Sequence, residues 1–302
     1  MPKADLTLGG AQLGMAYGIA NHRGKMNEAE VFDFLDEVCD AGISRIDTSP
    51  AYGDSETLIG KYLRVSGRSL HLVTKLPALG LTKPTTAAQL IPLVEASLHK
   101  SLETLGVAAI DDYLVHTEED FVLHGATLVE ALRHCREQGL VERVGVSVYQ
   151  PEVALKGVTL GLDTVQIPCN ILDRRLDNAG FFTAAKRNRT KVFARSIYLQ
   201  GLLLLPIDDV IKWLPEAEQP LSRFHKLAAD CGYSPAELAY VYMRDKNGVD
   251  SLIVGMESKA QVVDNLALMQ APVLPDELRV RIESLIFDVS VQVLNPSLWR
   301  RR

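Results

Sequence analysis

A (β/α)8 barrel is the fold this sequence predicts, on three observations. Short apolar runs alternate with amphipathic stretches from one end of the chain to the other. The 302 residues suit one barrel, which typically takes ~250. No low-complexity linker interrupts the alternation, so one domain over residues 1–302 is expected.

The elements follow in order. The first strand is expected near Thr7 to Gln12. Asn27 can cap a helix running to about Ala41, with Val31, Phe32, Leu35 and Val38 on one face and Gly42 ending it. Ile43 to Thr48 reads as a buried strand and Leu70 to Leu76 as the next. A long helix is expected over Ala87 to Leu105, then a strand from Ile110 to His116. Leu128 to Gln138 reads as a helix stopped by Gly139. Val144 to Val148, Thr164 to Ile167 and Val192 to Ser196 read as strands with helical stretches between them. Ser234 can cap a helix over Pro235 to Lys246, Ser251 to Val254 is the last strand, and Ser258 can cap a helix to about Met269.

Each helix in such a series must carry the chain back across the sheet, which makes the strands parallel. A doubly wound open sheet is the main competitor. Against it, no strand is followed by GxGxxG. The glycines of LGGAQLG are wrongly spaced for a dinucleotide fingerprint, and no helix is expected to begin there.

Composition excludes several classes. Hydrophobic residues make up 47% and charged residues 23%, values of an ordinary globular chain. A net charge of −6 gives no footprint for nucleic acid. The one basic cluster, Arg300, Arg301 and Arg302, reads as a solvated tail. Cys39, Cys135, Cys169 and Cys231 are scattered, with no CxxC pair and no histidines at ligand spacing, so buried free thiols are expected rather than a disulfide or metal site. The opening MPKADLTLGG lacks the apolar core of a signal peptide, and the most apolar window, Tyr198 to Ile207, is about half the ~20 residues a membrane span needs. A cytoplasmic location is expected.

In a barrel of this kind chemistry sits at the C-terminal ends of the strands. The second strand ends in Asp47, with Tyr52 in the loop behind it, the third in Thr74 and Lys75, and the fourth in His116. The fifth ends in Ser147, the sixth near Gln166, the seventh in Arg195 and Ser196, and the eighth runs into Gly255. Taken singly, each has a packing explanation: a loop-capping Asp, a rim Tyr, an edge Lys, a satisfied structural His. Four ionisable groups at consecutive strand mouths point instead to one pocket. A buried ammonium beside a phenol favours the phenolate, a carboxylate beside the ammonium keeps it charged, and an imidazole can orient a carbonyl. Such a set can donate a proton to a carbonyl oxygen as hydride reaches the carbon. The hydride has to come from a cofactor.

These residues resemble a known family. Asp47-Thr-Ser-Pro-Ala-Tyr-Gly with SETLIGKYL behind it, Lys75 after LVT and His116 after DYLV are similar to the tetrad regions of the aldo-keto reductases. The resemblance runs from LGGAQLG to Asn265, and the DTSPAYGDSE loop is its most specific part. It implies a (β/α)8 barrel that reduces a small aldehyde, ketone or sugar with NADP(H), Tyr52 as general acid and Asp47, Lys75 and His116 assisting. It also implies cofactor contacts. Ser147 in GVSVY matches one member of a Ser-Asn pair that holds the nicotinamide carboxamide, with Val148 as its partner here. Gln166 matches an amide-binding glutamine, and Ser196, Gly201 and Leu202 resemble a pyrophosphate-binding loop.

Arg195 stands where the family usually has an aromatic that stacks on the nicotinamide. Its planar guanidinium can stack, and its charge can also serve an anionic substrate or a phosphate. Gly255, Gln261 and Asn265 match the segment around the adenosine 2′-phosphate. Glu257 replaces a usual Arg or Lys there, while Ser258 and Lys259 at a helix N-terminus can compensate. NADP(H) is the expected cofactor, with NAD(H) the alternative. Tyr17 is expected to wall the substrate pocket. The stretch Leu203 to Leu221, with Trp213, and the segment with Trp299 either cover the cleft or pack elsewhere. Two other functions remain open: a cofactor-binding scaffold of the same fold with little turnover, and a lyase or isomerase using Lys75 as a Schiff base.

Overall fold

The computed structural model describes residues 3–19, 24–285 and 288–299, so the Arg300–Arg302 tail lies outside the described residues. Eight parallel strands close into a barrel in sequence order. They are β1 (Asp5–Gly9), β2 (Arg45–Asp47), β3 (His71–Leu76), β4 (Ile110–Val115), β5 (Val141–Ser147), β6 (Thr164–Pro168), β7 (Lys191–Arg195) and β8 (Ser251–Gly255). Closure comes from β1 lying against both β2 and β8, with Gly9 opposite Asp47 on one side and Gly255 on the other.

Successive side chains on a strand point to opposite faces, so every second residue enters the barrel axis. The interior stacks in layers as a result. Nearest the strand starts, Asp112 holds Arg143 through two hydrogen bonds of 2.8 and 2.9 Å and accepts from Thr164 at 2.6 Å. Above it Val73, Leu114, Phe193 and Ile253 form a separate apolar plug. One step further along the strands come Asp47, Lys75, Ser147 and Gln166. The apolar plug seals the barrel below, so this polar layer opens only towards the strand ends.

Most elements fall where the residue pattern predicts, and the differences have local causes. β1 ends at Gly9, three residues early, because a four-residue helix, Ala11–Gly14, does begin in LGGAQLG. The Gly10 amide keeps one sheet-like bond to the Asp47 carbonyl at 2.7 Å before the chain turns. The helix Glu28–Asp40 has the expected cap, as Asn27 Oδ1 accepts from Glu30 N and Glu30 answers to Asn27 N. Its buried face is Val31, Phe34, Leu35 and Val38, a true i, i+3, i+4, i+7 set, and Phe32 lies beside it edge-on to Tyr62. The helix expected from Leu128 spans Glu118–Glu137, interrupted at Gly125, whose φ of 47° and ψ of −116° are not helical. The cysteines form no disulfide among the described residues; Cys135 and Cys169 are buried, while Cys39 and Cys231 are half-buried. No helix among the described residues is long and apolar enough to cross a membrane.

Candidate active site

The loop that carries Tyr52 is set by two glycines. A Cβ on Gly14 would stand 1.8 Å from the Tyr52 carbonyl oxygen, and one on Gly53 would stand 2.3 Å from the Gly14 carbonyl oxygen. Gly53 also takes a φ of 57°. Glycine at both positions lets the β2 loop lie directly on the Ala11–Gly14 helix and fixes where the tyrosine ring stands.

Lys75 is completely buried, and its ammonium is fully engaged. It donates to both Asp47 oxygens and to the Thr48 carbonyl, each at 2.8 Å. Gln166 Nε2 donates to Asp47 Oδ1 at 2.7 Å across the barrel, and its own Oε1 accepts from Ser147 Oγ at 3.1 Å. The Lys75 nitrogen lies 4.9 Å from the centre of the Tyr52 ring, which meets the His116 ring edge-on at 5.7 Å. Thus Asp47, Lys75, Tyr52 and His116 form one contiguous cluster at the strand mouths. Thr74 faces the other way, donating to the buried Glu56 at 2.6 Å.

The electrostatics follow from these contacts. Burial pulls the Lys75 ammonium down, but Asp47 and then Tyr52 outweigh it, and its pKa stands above the ordinary value. A Schiff-base nucleophile needs the opposite, a free amine with a depressed pKa. For His116, burial, then Lys75 and Arg195, push the imidazole down to about 3. Its Nδ1 is 3.1 Å from Ser49 Oγ, which accepts from Ala51 N. The Ser49 hydroxyl can donate to Nδ1 or accept from it, so this bond fixes the orientation of the imidazole without by itself choosing its tautomer.

The neutral imidazole has a measurable consequence. A histidine whose folded pKa lies below its unfolded value of 6.5 contributes stability that is present above pH 6.5 and lost as pH falls towards 3. We expect a chain with His116→Gln to lose less melting temperature than the parent between pH 7 and about 4.5. Equal acid sensitivity of the two chains in calorimetric melts would show that His116 is not held neutral.

A cleft of about 360 Å³ opens beside this cluster, a size ordinary for a ligand site. It runs from Tyr17, Asp47 and Tyr52 past Arg195, Ser196 and Gly201 to Gly255, Glu257, Gln261 and Asn265. The β7 loop is wound through the left-handed region, with φ of 59° at Ser196, 50° at Leu199, 55° at Gln200 and 98° at Gly201. Non-glycine residues there cost about 1 kcal/mol or more each, a strain that clusters at ligand-binding loops. Ser147 and Leu202 are buried off the cleft surface. Ser258 caps the helix Lys259–Gln270 by accepting from Gln261 N, and Lys259 turns outward to Glu37 at 3.3 Å. Trp213 and Trp299 pack edge-on to each other at 5.6 Å and do not line the cleft.

Several contributing residues carry no strong sequence signal. Ser49 orients His116 from inside the DTSPAYG loop. Tyr149, the residue after GVSV, stacks under the Arg195 guanidinium at 4.3 Å. Gln200 Nε2 donates to the Tyr17 hydroxyl at 3.2 Å, and Asp264 lines the far end of the cleft. Only a barrel register would have told which of these loop side chains turn inward.

Residues 5–286 match the model described as the Aldo/keto reductase family. The chain is 27% identical over 266 residues to the aldo-keto reductase YhdN of Bacillus subtilis, covering 79% of this chain and 78% of that one. It is 26% identical over 219 residues to an L-glyceraldehyde 3-phosphate reductase of Escherichia coli O157:H7, covering 64% and 63% respectively. Among solved structures, the aldo-keto reductase AKR11C1 of Bacillus halodurans superposes with a TM-score of 0.74 at 24% identity, covering 97% of this chain and 96% of that one.

Proposed function

The chain belongs to the aldo/keto reductase family, an oxidoreductase family acting on carbonyl substrates, and from that premise we propose that it reduces a small aldehyde, ketone or sugar to the alcohol with NADP(H), in the cytoplasm. The observation that carries the reading is the contact chain Asp47–Lys75–Tyr52–His116 at one end of the cleft. Bound nicotinamide supplies the hydride. The Tyr52 hydroxyl gives its proton to the carbonyl oxygen, and the phenolate left behind is stabilised by the Lys75 ammonium, whose charge Asp47 holds. Neutral His116 has an N–H with which to orient the carbonyl. The products balance as alcohol and oxidised cofactor.

The residues along the cleft fit an elongated dinucleotide. The guanidinium face of Arg195 not covered by Tyr149 would stack on its nicotinamide and Ser196 and Gly201 would hold its pyrophosphate, with Ser147 and Gln166 behind them and Leu202 contributing backbone only. Gly255, Gln261 and Asn265 would hold its adenosine end, while Ser258 caps the helix behind them and Lys259 is turned away to Glu37. Glu257 and Asp264 put two acids at that end, so the preference for NADPH over NADH is expected to be less than about tenfold. Exchanging Glu257→Lys should raise the NADPH:NADH ratio of kcat/KM by about tenfold, since one like charge is replaced by an opposite one. An unchanged ratio would remove the 2′-phosphate from that corner.

The reading is tested by following NADPH consumption against a panel of aldehydes, ketones and sugars. Turnover of several of them is expected. Tight NADPH binding with no oxidation across the panel would favour a cofactor-binding scaffold instead.

A further inference from the structure

Arg195 closes β7 inside the cleft, on the wall shared by Tyr17 and Tyr52. One face of its guanidinium is covered by the Tyr149 ring at 4.3 Å. The groups that act on it electrostatically are phenols, those of Tyr149, Tyr52 and Tyr17. Among the described residues no carboxylate forms an ion pair with it, unlike Arg143 with Asp112 at 2.8 Å or Arg244 with Asp245 at 2.7 Å. The other charges at this end of the cleft do not offset it. Lys75 and Asp47 cancel each other at 2.8 Å, and His116 is neutral above about pH 3. Among the described residues the reaction centre therefore carries one uncompensated positive charge.

A cation half-buried in the cleft without a counter-ion is unfavourable, and an anion arriving beside it recovers part of that energy. A guanidinium edge presents parallel N–H donors that match the oxygens of a carboxylate or phosphate. We propose that Arg195 sets the substrate class of the cleft by binding a carboxylate or phosphate carried on the carbonyl substrate itself. The proposal rests on the reductase reading above and deepens it. The anion sits against the guanidinium edge while the carbonyl faces Tyr52, so the two groups of the substrate lie a few bonds apart.

Two matched pairs of substrates separate the sources of the charge: succinic semialdehyde against butyraldehyde for a carboxylate, and glyceraldehyde 3-phosphate against glyceraldehyde for a phosphate. The reading is the anionic-to-neutral ratio of kcat/KM within each pair. The parent chain should favour the anionic member of at least one pair by more than about tenfold, and Arg195→Met should lower that ratio by about 30-fold whatever happens to the absolute rates. Arg195→Lys, which keeps the charge and tests the same point if the methionine chain does not fold, should keep the ratio within about fivefold. No anionic preference in the parent, or the same ratio in R195M, overturns the proposal.

If no carbonyl is turned over at all, the reductase reading fails separately, and the subsite is judged by calorimetric titration with oxalate and with inorganic phosphate. Binding lost in R195M retains the subsite. Equal binding in both chains, or none in the parent, removes it.

Discussion

Tyr52→Phe is expected to lower kcat by about a thousandfold while leaving the NADPH dissociation constant within about twofold of the parent. The hydroxyl is the one acidic group of the cluster that lines the cleft and has a proton to give. His116 is neutral at working pH, and Lys75 is buried beneath with its hydrogens committed to Asp47 and Thr48. Phenylalanine keeps the ring edge against His116 and the face under Lys75, so packing and cofactor fit survive. What disappears acts only as the carbonyl oxygen gains charge, which is why the loss belongs in kcat rather than in ground-state binding. Stopped-flow single turnovers alongside fluorescence titration of NADPH separate the two. A variant within about fivefold of the parent in kcat would move the proton donor elsewhere.

Lys75→Met should be the more damaging change to the molecule itself. Breaking a buried pair leaves its partner charged and uncompensated, at a cost of about 3–5 kcal/mol. Here the stranded group is Asp47, whose remaining side-chain partner is Gln166 Nε2 at 2.7 Å. For a chain of this size the melting temperature should fall by about 5–10 °C, and turnover should vanish with the charge that stabilises the Tyr52 phenolate. Adding Asp47→Asn to the same chain removes the orphaned carboxylate and should restore roughly half of the lost stability without restoring activity. If K75M alone melts like the parent, the pair is not what holds the polar layer in place.

The barrel was legible in the chain because the strands are short, mostly buried runs set between amphipathic helices, and because the long helices keep a 3.6-residue period. Asp47, Lys75 and His116 were legible for a related reason: an ionisable residue at the end of an apolar strand has few places to go except a closed barrel's mouth. Local backbone choices were not legible. The Ala11–Gly14 helix shortens β1 because two adjacent glycines can either extend or turn, and only the approach of the Tyr52 loop selects the turn. Phe32 and Phe34 are equally apolar, and packing against the barrel decides that Phe34 is the buried one. Long side chains carry the least information. Whether Lys259 reaches into the cleft or out to Glu37, and whether Tyr149 comes to lie under Arg195, depends on partners distant in sequence.

The most direct measurement follows the hydride. NADPH carrying deuterium at the transferable position of its nicotinamide is incubated with the protein and a carbonyl compound that it consumes, and the alcohol is isolated for mass spectrometry and NMR. Deuterium should appear on the former carbonyl carbon, in step with cofactor oxidation, and the Tyr52→Phe chain should slow its appearance as much as it slows kcat. An alcohol that lacks the label, or label transfer as fast with phenylalanine as with tyrosine, would contradict hydride reduction assisted by Tyr52 in this cleft.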